Sequence, residues 1–155
     1  MKFTKIFLSI GLLAVSSLGA LDKNNSNEVS QELMQTINET AMQAFHNLFF
    51  QGMVDLRVKY NNEIKWLKKN YWHNTAEGDK VIVLLKDEFV KLFVPNISPM
   101  FDQMFEQIPE LQQIGNLKNI FVQQFSLQIP QMMEMSLKEN MLIESMAYAR
   151  LHGLR

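Results

Sequence analysis

The side chains that could do chemistry are few and scattered. The chain has no cysteine, which excludes thiol nucleophiles and cysteine-ligated metals. Its three histidines are His46, His73 and His152, and none has a second histidine one helical turn away, the spacing that builds helical metal sites. Beyond residue 20 the serines are Ser26, Ser30, Ser98, Ser126, Ser136 and Ser145. None lies in a Gly-x-Ser-x-Gly elbow, and no glycine-rich phosphate loop occurs. Asp87 with Glu88, or Glu134 with Glu139, could pair in a fold, but carboxylates at these spacings more often line a solvated helix face. The expectation is a protein that is not an enzyme, with no catalytic residue, no metal site and no cofactor.

One constellation suits binding instead. Arg57, Lys59, Lys65, Lys68 and Lys69 fall within 13 residues, and Trp66, Tyr71 and Trp72 are interleaved with them or follow directly. Cations beside large amphipathic rings are the composition of interaction hot spots. These eight residues are the candidate binding surface. The competing explanation is an ordinary amphipathic helix end, with lysine heads in water and Trp66 and Leu67 in the core. Eleven Phe and eleven Met point the same two ways: Met is over-used at adaptable apolar surfaces, and it also fills irregular cores. In the adjacent pairs Phe49-Phe50 and Met132-Met133 both side chains cannot face one core, so one of each is expected outside it or against a partner.

The elements that position these residues follow from the totals and the pattern. A chain of 155 residues makes one compact domain. Its first stretch reads as a secretory leader: Lys2 and Lys5, an apolar run over residues 6–15, then small residues suited to cleavage near Gly19 or Ala20. The run is too short to span a bilayer, although an uncleaved N-terminal anchor is the rival reading. The domains are therefore a signal peptide over 1–19 and a helical domain over 20–155. Removing the leader takes away two lysines and no acid, which moves the net charge from −1 to −3. That balance argues against nucleic acid as a partner. Asn24, Asn38 and Asn96 each head a glycosylation acceptor pattern, the third followed by Pro99.

From Val29 onward, apolar residues recur every fourth position through Ile37, Ala41, Phe45 and Phe49, and the pattern persists to Leu67. Asn25 with Glu28 could cap its start, and Gly52 is a candidate bend. Residues 71–74 read as a turn, with Asn74 capping a second helix from Thr75. Val81, Leu85, Phe89, Leu92 and Phe93 are its expected buried face. Pro95 should break or kink it, Ser98-Pro99 should restart it, and Pro109 and Gly115 mark the next turn. A further helix begins at Leu117 and is kinked or ended by Pro130, and a last short helix is expected from Met141. No strand-like alternation occurs. The fold class is all-α, a compact bundle of about five helices in a single domain.

The order of these features resembles the sperm lysins of abalone and related marine gastropods, with their sister fertilization protein of the acrosome. The likeness runs through Lys65-Trp66-Leu67-Lys68-Lys69, the polar turn over residues 72–77 and the helix start over 80–89. Its most specific part is C-terminal: Ser136-Leu137-Lys138-Glu139-Asn140-Met141, then Met146-Ala147-Tyr148-Ala149-Arg150-Leu151 with Leu154-Arg155. The resemblance implies a secreted, non-enzymatic protein of the sperm acrosomal vesicle. Its partner would be a glycoprotein of the egg vitelline envelope, prised apart by stoichiometric binding. For the sister branch the partner would be the egg membrane, at gamete fusion. It also implies a homodimer through an apolar patch. The chain departs from the family in its net −3, where lysins are strongly basic, and in three prolines where lysins carry one long second helix. A secreted carrier of lipid or another apolar ligand is the alternative of a different class.

Overall fold

A computed structural model of the chain describes residues 31–108 and 117–154, without the side chains of residues 31–34, 37, 38 and 117. The expected leader, the Asn24 sequon, the Asn25 cap and the Pro109–Gly115 turn lie outside the described residues. The described part is all-helical: α1 spans Gln31–Lys59, α2 Asn61–Asn70, α3 Thr75–Gln107 and α4 Leu117–Leu151. Among the described residues there are four helices, not about five, and no strand.

The difference comes from the prolines. Pro95 and Pro99 both lie inside α3, and Pro130 lies inside α4. A proline within a helix removes one backbone bond and crowds the preceding turn, at about 3 kcal/mol. Here the buried face continues in register across each site: Phe89, Phe93, Ile97 and Phe101 in α3, and Phe125, Ile129, Met133 and Leu137 in α4. Burying a large apolar side chain contributes about 1.5–3 kcal/mol. Apolar anchors on both sides therefore hold each helix together, with Pro95 and Pro99 turned to solvent. Ser98-Pro99 is no new start, and the segment from Met141 is the last third of α4.

The expected bend also moves. The chain breaks at Tyr60, not at Gly52. Tyr60 leaves the helical region (φ −118°, ψ 37°), while hydrogen bonds from its N–H to Leu56 and from Ile64 to its carbonyl bridge the break. Gly52 is buried inside α1, where a Cβ would meet the Phe89 ring at 3.0 Å. Its role is close approach of α1 to α3. The turn at residues 71–74 forms as expected, and the Asn74 side chain accepts a hydrogen bond from the Glu77 N–H at 3.4 Å.

Phenylalanine builds the core between α1, α3 and α4. Phe45 meets Phe93 and Phe49 meets Phe89, each with ring centroids 5.1 Å apart, so α1 and α3 run antiparallel. Phe101 meets Phe121 at 5.4 Å and Phe125 at 5.2 Å. Ion pairs Lys118–Asp102, Lys86–Glu134 and Lys138–Asp79 order α3 against α4, again antiparallel. In α3 the buried position is Ile82 and not Val81, and Leu92 is exposed. Phe49 is buried while Phe50 is 63% exposed, and Met133 is fully buried while Met132 is only partly so.

In α4 the buried residues are Phe121, Phe125, Ile129, Met133, Leu137, Met141, Ser145 and Ala149, a strict four-residue spacing. An α-helix repeats every 3.6 residues, so each step turns the stripe by about 40°. Across eight positions it winds most of the way round the helix. The first half of α4 can thus face α3 and the phenylalanines of α1, while the second half faces α2, with which it is also in contact.

Candidate interaction surface

The eight candidate residues end α1, fill α2 and enter the following turn. They do not form one uniform face. Leu67 is fully buried, and Trp66 packs partly against the core. Tyr71 is buried: its hydroxyl donates to Asp79 Oδ1 at 2.7 Å, and a Cβ on Gly78 would sit only 2.1 Å from its ring. Burial, and then the neighbouring Asp79 carboxylate, push the Tyr71 phenol well above its ordinary range. Trp66 and Tyr71 are therefore anchors that fix α2 and the turn. Tyr71 thus lies beneath the candidate surface, and Trp66 is half-buried, as Trp72 is.

The cations divide in the same way. Lys59 reaches Glu88 of α3 at 2.6 Å, and Lys91 holds the other oxygen of that carboxylate at 2.6 Å. These hydrogen bonds lower Glu88 to about 2 and raise both lysines. Lys68 pairs with Glu144 of α4 at 3.0 Å. Arg57 and Lys65 are exposed and form no ion pair among the described residues. The Lys69 ammonium lies 6.0 Å from the centre of the Tyr148 ring, a cation–π distance. The half-buried Trp72 donates its indole N–H to the Lys69 carbonyl at 3.1 Å and stands 4.6 Å from the His73 ring.

Sequence reasoning missed that α4 completes this surface. Tyr148 lies beside Lys69, and the His152 ring stands 4.3 Å from Tyr148. Two of the three histidines thus border the cluster, one from the turn and one from the end of α4. The one local signal was the spacing of Tyr148 and His152, one helical turn apart on the same face. The result is a patch of Lys65, Lys69, Trp72, His73, Tyr148 and His152 where the end of α2 meets the end of α4. It presents ammonium groups, ring faces and imidazole edges from α2, the turn after it and the end of α4.

Among the described residues no group of three His, Asp or Glu side chains could hold a metal ion, and no helix is long and apolar enough to cross a membrane. The fold is an antiparallel helical bundle with a patch of lysines, histidines and aromatic rings at one end. Compared with family models, curated proteins and solved structures, the chain matches none.

Proposed function

We propose that this is a non-enzymatic, secreted sperm protein of the lysin type, held in the acrosomal vesicle, that binds a glycoprotein of the egg vitelline envelope. The observation that supports it most is spatial. Two of the five segments that carry the resemblance, residues 65–69 and 146–151, meet at the patch, through Lys69 and Tyr148 and next to the Lys68–Glu144 pair. Arg57, Lys65 and Lys69, which form no ion pair among the described residues, offer the attraction, and Trp72 and Tyr148 the ring contact. The reading needs only a small basic surface, which a chain of net −3 can supply.

The test is binding of the purified mature chain to isolated egg envelopes of the same species across a salt titration. Binding should weaken with salt. A Lys65→Glu/Lys69→Glu variant of unchanged melting temperature should bind about tenfold less tightly. Absence of binding at every salt concentration overturns the proposal. The membrane-fusion alternative draws on the exposed Phe50, Leu127, Met135, Ile143 and Leu151, and liposome mixing tests it. The carrier reading gains nothing from the groove between α1 and α3, whose walls are mostly polar.

A further inference from the structure

At the opposite end of the bundle a groove of about 490 Å³ opens between the first half of α1 and the last turns of α3. That volume lies in the range of small-ligand clefts. Its walls are unusual in kind. Gln43 and Asn47 stand one turn apart on α1, and Gln103 and Gln107 stand one turn apart on the antiparallel α3. All four are exposed, and none has a side-chain hydrogen-bond partner among the described residues. Thr40 adds a hydroxyl, and the buried Met100 and Met104 form an apolar floor. Among the described residues of the lining Glu39 is the one ionised side chain, and it already accepts a hydrogen bond from Gln35 at 2.8 Å.

We infer that this groove binds a neutral oligosaccharide. The chemistry selects the class. Among the described lining residues a cationic ligand would find one carboxylate, already in use, and an anionic ligand would find no cation. An apolar ligand would strip water from four amides without replacing their bonds, a penalty for each. A primary amide offers two donors and an acceptor, and a sugar hydroxyl is likewise both donor and acceptor. Two ladders of amides about 6 Å apart along each helix therefore match a chain of hydroxyl-bearing rings. The methionine floor suits the C–H faces of those rings. The inference is independent of egg-coat binding through the patch, which lies some 40 Å away along α4.

The experiment uses the mature chain and an array of neutral oligosaccharides ending in N-acetylglucosamine, galactose or mannose. The best binder, or chitotriose if none stands out, is then titrated into ¹⁵N-labelled protein up to millimolar concentration. Expected are shifts of the side-chain amide signals of Gln43, Asn47, Gln103 and Gln107, with the signals of the Lys65–Trp72 region unmoved. A Gln103→Met/Gln107→Met variant keeps side-chain length and helix propensity but removes both amides. It should fold normally and bind the sugar about tenfold less tightly or worse. Lys65→Glu/Lys69→Glu should leave sugar affinity unchanged even where it abolishes envelope binding. No binding at millimolar sugar, unaltered affinity in the double-methionine variant, or selection of an uncharged extended peptide over every sugar overturns the inference.

Discussion

Around Phe89 the bundle is packed with rings; around Tyr71 it is laced with charges. In the first region Phe45, Phe49, Phe89, Phe93, Phe101, Phe121 and Phe125 touch in a continuous series across three helices. In the second a chain of polar contacts runs from the Tyr71 hydroxyl to Asp79, Lys138, Glu134 and Lys86, and the buried side chains are mostly Leu, Ile and Met. The first region buries area and gains ring geometry, each pair contributing about 0.5–1.5 kcal/mol beyond its area. The second joins exposed or half-exposed charges, which water screens. Stability should therefore be concentrated at the phenylalanines, while the charged region fixes how α2 and the turn sit on α4.

The most direct way to break this contrast is truncation on each side. Phe89→Ala removes a fully buried ring in contact with Phe49 and Phe93, and should cost about 3–5 kcal/mol in denaturant unfolding. Lys138→Ala cuts two ion pairs, to Asp79 and Glu134, and should cost far less. Equal losses would erase the distinction between the two regions.

The buried glycines Gly52 and Gly78 sharpen it. An alanine in a helix is favoured over glycine by about 1 kcal/mol. At Gly78 the added methyl would lie 2.1 Å from a Tyr71 ring that its bond to Asp79 holds in place, so Gly78→Ala should destabilise by about 1–3 kcal/mol despite that gain. At Gly52 the nearest atom is the edge of the Phe89 ring at 3.0 Å, a contact that a small ring shift relieves. Gly52→Ala should fall within about 1 kcal/mol of wild type. Thermal unfolding of both variants decides this, and a reversed order would show that Tyr71 is not the rigid member.

The same contrast explains what the sequence disclosed. The stripe Ala41, Phe45, Phe49 and Met53, and the Asn74 cap, were legible because each depends on residues within a few positions. The continuity of α3 through Pro95 and of α4 through Pro130 was not, because it rests on burial against other helices. Nor could the winding of the α4 stripe be read, since its partners change along its length. At the surface the cluster of cations was visible, but its division was not. Whether Lys68 is paired depends on Glu144, and whether Tyr71 is a contact residue or an anchor depends on Gly78 and Asp79. Tyr148 and His152 joined the patch only once α4 was placed beside α2.

The smallest effect expected is electrostatic and belongs to Glu88, which binds the end of α1 to α3 between the two regions. Its carboxylate accepts from Lys59 and Lys91, which lowers it from the ordinary 4.5 to about 2. A carboxylate whose folded-state value is depressed contributes stability above its unfolded value and loses it as the pH falls through the folded one. The Glu88 contribution should thus be complete above about pH 4.5 and fade towards pH 2. The two lysines are raised, so their share persists at ordinary pH and is lost only as the pH climbs past 10.5 and through their raised values. Glu88→Gln should flatten the acid limb of melting temperature against pH over that window, and added salt should shrink the difference from wild type. If the variant keeps the full acid limb, the pH response lies with Glu134, which its hydrogen bond from Lys138 holds below the ordinary range, and the charged region contributes more to stability than its exposure suggests.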